Sequence, residues 1–238
     1  MLCKIADLYV EIPEAGGMSP RCRDYLVNES VSPDIIIKEE TYSMDRWPGL
    51  EPESLAYMDS GQIFYSGLLK YDGMMLHSSA IELEGGAYLF SGPSGMGKST
   101  HTRLWQQLFP TAKVINDDKP ALRKIDGTWY AYGTPWCGKD GININVRVPL
   151  GGICFLRRGN ENKIRRISPI EGAAAIMSQT LHRFKNPHGL DKLTGIMNEL
   201  LRDIPIFELA CLPDSSAAML SHRTMTCAVG GENNEDKK

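Results

Sequence analysis

Nine consecutive residues constrain this chain more than any others: Gly92, Pro93, Ser94, Gly95, Met96, Gly97, Lys98, Ser99 and Thr100. A glycine, four residues, then Gly97, Lys98 and Ser99 is the phosphate-binding P-loop spacing. Each residue type answers a physical need. Glycines let backbone N–H groups turn inward around phosphate oxygens. Lys98 brings a point charge to the β- and γ-phosphates, and the Ser99 hydroxyl suits a Mg²⁺ ion. The following helix would aim its positive N-terminal end at the anion.

The flanks have the form that such a loop requires. Ala87 to Ser91 is a short apolar run of strand character. Thr100 to Phe109 places Leu104, Trp105 and Leu108 on one helical face, and Pro110 ends it. Strand, glycine-rich loop and helix imply an α/β nucleotide-binding core. With 238 residues, the chain is long enough for one large domain or one plus a smaller partner.

Composition excludes several classes. The hydrophobic and charged fractions, 42% and 23%, are those of a soluble globular protein. A net charge of −3 argues against general nucleic-acid affinity. No run reaches the roughly 18 apolar residues of a membrane span, and the N-terminus lacks a signal-peptide pattern. The six cysteines form no C-x-x-C pair, so zinc is not expected; reduced thiols in a cytoplasmic protein are.

Periodicity divides the chain into a small α+β portion (1–71), a nucleotide-binding domain (72–228) and a polar, disordered tail (229–238). Residues 2–11 read as an edge strand, Ser19 to Val27 as a short helix capped by Ser19, and Asp34 to Ile37 as a strand. Residues 46–52 read as a loop and 53–69 as a helix weakened by Gly61 and Gly67. Met74 to Leu83 and Ala87 to Ser91 read as a hairpin around Glu84 and Gly85. Strands are expected at 113–118, 121–125, 128–132, 142–148 and 153–157. Ser168, Pro169 and Glu171 form a capping box that opens a helix to about Arg183. Leu190, Leu193, Ile196, Met197, Leu200, Leu201 and Ile204 form a helical core stripe, and 214–222 a last short helix.

Two further groups flank the loop. His77 lies on the strand before it, and Asn116, Asp117 and Asp118 end the strand after its helix. Adjacent strands would bring these to one sheet edge beside the phosphates. A carboxylate there can hold Mg²⁺ and a neighbour can accept a hydroxyl proton; a histidine can bond phosphate or carboxylate.

These three motifs, in this order, resemble the superfamily of HPr kinase/phosphorylases and ATP-dependent phosphoenolpyruvate carboxykinases. His77, Ser78, Ser79 and Ala80 are similar to the carboxykinase His-Cys-Ser-Ala, and residues 92–99 to the HPr-kinase loop. Asp117 and Asp118 stand where both families keep Asp-Asp. Asn145, Val146 and Arg147 are weakly similar to an Asn-Val-Arg stretch of HPr kinases. The likeness covers about residues 74–157.

The resemblance implies a mostly β sheet with helices packed on it, ATP and Mg²⁺ as cofactors, and phosphoryl transfer. It implies that Lys98 holds phosphates, that Ser99 binds metal, and that Asp117 and Asp118 divide the metal and base roles. His77 would sit near the γ-phosphate. The chain has no room for a carboxykinase's extra domain. The Glu-x-Arg-Gly stretch of HPr kinases is absent; Gly133 to Asp140 stands there, and Lys139 is the candidate positive charge. The likeness is greatest to short HPr-kinase-related proteins, some of which phosphorylate serine in ribosomally made peptides such as lasso-peptide precursors. The acceptor class expected is therefore a hydroxyl, most naturally serine of a small protein or peptide. A nucleotide-sensing or peptide-binding module without transfer and a small-molecule kinase are the alternatives. Homo-oligomers are frequent in the superfamily.

Other residues carry less. Trp136 either stacks a base or packs within a turn. Cys137 reads as structural. His101 is expected to face solvent, and His182, His188 and His222 to be surface residues.

Overall fold

The computed structural model describes residues 1–14, 17–39, 45, 48–181 and 187–230. The expected tail, all but its first two residues, therefore lies outside the described residues, as do His182 and most of the 40–47 segment.

The chain is mixed α/β, with a curled sheet and helices on both of its faces. It begins with β1 (Leu2–Ile5) and β2 (Leu8–Glu11), a hairpin rather than one strand. Its turn residues, Ala6 and Asp7, take φ of 52° and 60°; the absence of glycine hides the turn from sequence. Helix α1 (Met18–Cys22) continues into a 3-10 turn at Arg23–Tyr25. Its N-cap is Gly17, not Ser19, whose hydroxyl donates to the Glu14 carbonyl instead. Strand β3 (Ile35–Ile36) runs parallel to β2. Helix α2 (Pro52–Leu68) tolerates Gly61 because a Cβ there would stand 3.0 Å from the Trp136 ring.

The expected long first strand of the second hairpin is two. β4 (Gly73–Met75) pairs with β8 (Ala121–Ile125), while β5 (Ser78–Leu83) pairs with β6 (Gly86–Ser91). The chain crosses from one half of the curled sheet to the other at Leu76 and His77. After β6 come helix α3 (Lys98–Leu108) and β7 (Lys113–Asn116), which pairs with β5. β9 (Thr128–Tyr132) pairs with β8.

Strand β10 (Arg147–Arg158) joins the two halves. Its start is antiparallel to β9; beyond a register shift at Leu150 and Gly152 it runs parallel to β6. Gly151 and Gly152 suit such a bend, which is why they read as a break between two strands. Two unforeseen strands complete the sheet: β11 (Lys163–Arg166) and β12 (Ile206–Cys211). β12 lies parallel to β10 and antiparallel to β11. Helices α4 (Pro169–Gln179), α5 (Pro187–Asp203) and α6 (Ser215–Gly230) make up the rest. The capping box at Ser168 and Glu171 is formed, though α4 ends earlier than expected.

Alternation along the strands separates the two faces. Ala87, Leu89, Ile153 and Phe155 pack with α4 and α5 residues such as Ile176, Leu193 and Leu200. Tyr88, Phe90, Cys154 and Leu156 pack with Trp105 of α3 and Met225 of α6. Burying Trp105 fully contributes roughly 2–3 kcal/mol. A third cluster joins the N-terminal residues to Met75, Ala121, Tyr132 and Trp136. Arg123 staples it, donating to the Tyr71 and Ala6 carbonyls. Among the described residues no helix is long and apolar enough to cross a membrane.

Candidate active site

Strand β6 delivers the loop residues 92–97 to the N-terminus of α3. Gly92, Gly95 and Gly97 take φ of 148°, 76° and 99°, which side chains oppose. Gly97 is the N-cap and brings no capping side chain, so the first amides of α3 keep their donors for an outside acceptor. Pro93, Ser94, Gly95 and Thr100 are exposed, and Met96 and Ser99 are half-buried. Lys98 is buried, and its Nζ donates to the carbonyls of Gly92 at 2.9 Å and Pro93 at 3.4 Å. Burial pulls its pKa below the usual lysine value, while the charges of Asp118 and Asp117 oppose that shift.

The order β7–β5–β6 brings His77, the Asp pair and the loop to one edge, as the sequence motifs require. Asn116 shapes the end of β7. Its Oδ1 accepts from the amides of Asp118 and Lys119, and its Nδ2 donates to the Thr134 carbonyl. The two aspartates are thereby turned to different partners. Asp117 Oδ1 accepts a 2.6 Å bond from Ser79, and Ser79 Oγ lies 3.0 Å from Thr102 Oγ1 on α3. With the Ser79 proton on Asp117, the Thr102 hydroxyl is the donor to Ser79, and the Ser99 carbonyl 3.1 Å away is its alternative acceptor. A polar relay thus links Asp117 to the loop helix.

Asp118 sits among cations and donors. Oδ1 is 3.2 Å from His77 Nε2, and Oδ2 is paired with Lys119 Nζ and accepts from Tyr57 Oη at 3.3 Å. Burial alone would raise its pKa, but the His77 bond and the Lys119 charge and bond outweigh it. The carboxyl is held well below its ordinary range. Burial likewise disfavours the charged Lys119, yet Tyr57 and Asp118 leave its pKa raised.

Lys119 and Tyr57 were not evident from the sequence. Lys119 adjoins the Asp pair, and that adjacency was the only available signal. Tyr57 comes from α2, outside the three motifs. Arg21 and Lys119 each stand over its ring, 4.8 and 4.9 Å from the centroid. Its hydroxyl also accepts from the Gly138 amide at 3.0 Å. Lys139 is exposed on the adjoining turn, and among the described residues it has no ion pair; Lys119 is the lysine held against Asp118.

The glycine-containing stretch after β9 packs rather than stacks a ligand. Trp136 is fully buried, parallel to Phe64 at 4.7 Å, and its Nε1 donates to Ser60. Burial pushes the Cys137 thiol up, in keeping with a structural role. Gly133 allows the closest approach in the site, since a Cβ there would stand 1.8 Å from the Ile144 carbonyl oxygen.

His101 corrects an expectation. It is 3% exposed, 2.8 Å from Ser221 Oγ, and burial lowers its pKa to about 4. It faces the core between α3 and α6 because α3 turns that side inward with Trp105. His188 is exposed, as expected; His222 is half-buried against Phe109.

The family described as "SynChlorMet cassette protein ScmC" matches residues 52–212, more than half of the chain. The chain belongs to the ScmC family. The match takes in α2, with Tyr57, as well as the loop and the Asp pair. No curated protein matches the ScmC-family chain in sequence. A solved structure of the HPr(Ser) kinase/phosphatase from Coxiella burnetii is similar over 69% of this chain and 99% of its own. The TM-score is 0.37 and the identity 10%.

Proposed function

We propose that the chain is an ATP- and Mg²⁺-dependent phosphotransferase of HPr-kinase-like type, acting on a hydroxyl, most naturally a serine of a small protein or peptide. The observation that carries this reading is the convergence of Lys98, the uncapped amides of α3, and two aspartates with separate partners at one sheet edge.

Among the described residues no cluster of three acidic, histidine or cysteine side chains could cage a metal. Mg²⁺ at a nucleotide site binds through one or two carboxylates, a hydroxyl and substrate phosphates. In this reading Ser99 and Asp117 would hold the ion, which supplies charge neutralisation at the phosphates. Lys98 and the loop amides hold the β- and γ-phosphates. Asp118, oriented by His77 and Lys119, takes the proton of the acceptor hydroxyl as the new O–P bond forms and the bond to the β-phosphate oxygen breaks. Positioning and electrostatics do most of the work.

Titration calorimetry with ATP and Mg²⁺, followed by mass spectrometry of candidate peptides, tests it. Lys98→Ala should weaken ATP binding by about tenfold to a hundredfold, the worth of a charge-assisted bond. Asp118→Asn should bind ATP and transfer nothing. Undiminished transfer by the lysine variant would remove the assignment. ATP binding without phosphate on any acceptor would favour the sensing reading.

A further inference from the structure

The cations around the site are of two kinds. Lys98 is bound to loop carbonyls, Lys119 to Asp118, and Arg103 Nη2 lies 3.4 Å from Asp140 Oδ2. Arg21 and Lys139 have no carboxylate partner among the described residues. Arg21 belongs to α1, a helix to which the transfer reading gives no task. Its guanidinium stands over the Tyr57 ring, and Nη1 donates to the Gly138 carbonyl at 3.0 Å and meets Cys137 Sγ at 3.7 Å. A guanidinium carries five N–H groups. Nε and Nη2 therefore keep donors that nothing among the described residues takes up. A half-buried cation without a carboxylate is costly, and the face of an aromatic ring compensates it only in part.

Gly138 fixes where this charge stands relative to the chemistry. A Cβ on Gly138 would lie 3.2 Å from the Asp118 Cβ, so the two backbones are packed together. The Gly138 amide donates to Tyr57 Oη at 3.0 Å, and the same hydroxyl donates to Asp118 Oδ2 at 3.3 Å. Lys139 follows directly in the chain and is exposed. Arg21 and Lys139 thus flank a peptide unit packed on the proposed base. A group bound by the guanidinium would lie two or three residues of extended chain from a hydroxyl on Asp118, at about 3.3–3.6 Å a residue. The whole chain carries a net charge of −3, so an anion drawn to this place answers a local cationic seat and not a general attraction. The planar fork of arginine matches a carboxylate, with two parallel N–H donors for two oxygens.

We propose that Arg21 and Lys139 bind a carboxylate side chain of the acceptor, two or three residues from its reacting serine, so that the chain selects acidic peptide segments. The inference rests on the phosphotransfer reading above and deepens it by naming the acceptor's chemistry. It also gives α1 a task, as the element that carries a specificity-determining cation to the site.

The test is transfer from ATP and Mg²⁺ by the full chain to a library of C-terminally amidated peptides with one fixed serine and degenerate neighbours, read by sequencing the phosphorylated products. Members with Asp or Glu two or three positions from the serine should be enriched at least about tenfold over those with Asn or Gln, the worth of one charge-assisted bond. Arg21→Glu should turn the preference toward Lys and Arg at those positions. Lys139→Glu, at an exposed turn where the fold is not at stake, should weaken the acidic preference severalfold. The ratio between peptides is the readout, because a general loss of folding or of transfer lowers all of them alike. Equal use of acidic and neutral peptides by the wild-type chain, or a preference unchanged in both variants, would overturn the carboxylate seat while leaving phosphoryl transfer standing. If no peptide takes phosphate from the wild-type chain, the serine-transfer reading falls and the seat with it.

Discussion

Ser79 donates a 2.6 Å hydrogen bond to Asp117, and the same Ser79 oxygen lies 3.0 Å from Thr102 on the loop helix. A residue of β5 thus sets the position of a carboxylate at the end of β7 relative to α3. Strand pairing alone would bring the chain segments together without aiming the side chain. The proposed metal position depends on this aim.

Ser79→Ala should therefore lower turnover more than it lowers nucleotide affinity. Losing one charge-assisted bond corresponds to about 1.5–3 kcal/mol, or roughly tenfold to a hundredfold. Mg²⁺ dependence of kcat is the readout; an unchanged Mg²⁺ requirement and rate would show that Asp117 needs no such support.

Tyr57→Phe tests the contribution of α2. The substitution removes the hydroxyl that donates to Asp118 and accepts from Lys119 and Gly138. It leaves the Gly138 amide without that acceptor, costing about 1–2 kcal/mol in stability. Thermal melting should show the loss, and kcat should drop while ATP affinity holds. A variant as stable and active as the wild type would mean that the tyrosine ring alone matters.

Histidine 101 should make stability depend on pH. Its pKa, lowered from 6.5 to about 4, means that the unfolded chain binds a proton which the native chain refuses between those values. Stability is present in full above about 6.5 and declines as pH falls toward 4, at about 1.4 kcal/mol per pH unit. The Asp118 carboxyl adds a further loss only as pH falls below its ordinary value of 3.8. Urea denaturation at pH 7 and pH 5 should show the decline in the wild-type chain and a flatter dependence in His101→Gln. Equal slopes would assign the acid sensitivity elsewhere.

Gly133→Ala should be the most damaging small substitution near the site. The added Cβ would overlap the Ile144 carbonyl, a backbone group whose own amide bonds Ile115 at 3.0 Å. A backbone neighbour cannot rotate away, so a loss of more than about 3 kcal/mol is expected. Denaturant midpoints measure it, and Gly85→Ala, at an open turn with φ of 81°, serves as a milder comparison.

Local chemistry explains what was legible before the structure. The P-loop, the capping box at Ser168 and the stripe from Leu190 to Ile204 each depend on neighbours within a few residues. The loop helix and the capping box formed at or close to the expected positions, and the stripe packs into the core from Leu193 onward, whereas Leu190 is exposed. The turn at Ala6 and Asp7 and the continuity of β10 through Gly151 and Gly152 were not legible. There the residue types suggest the opposite of what the sheet imposes. β12 escaped notice because its six residues, apolar except for Glu208, show no strict alternation of their own.

By itself, then, the order of residues determined the glycine-rich loop, its helix, and the placing of His77 and the Asp117–Asp118 pair at the ends of two neighbouring strands, β5 and β7. Such motifs are short-range or ride on simple hairpin and strand adjacency. Only the tertiary structure decided that Asp117 is tied to α3 through Ser79 and that Asp118 is paired with Lys119. It also decided that Tyr57, 61 residues before Asp118, completes that pair. It alone turned His101 inward and packed Trp136 against Phe64. These outcomes depend on which faces the curled sheet buries, a matter of long-range packing that no local pattern encodes.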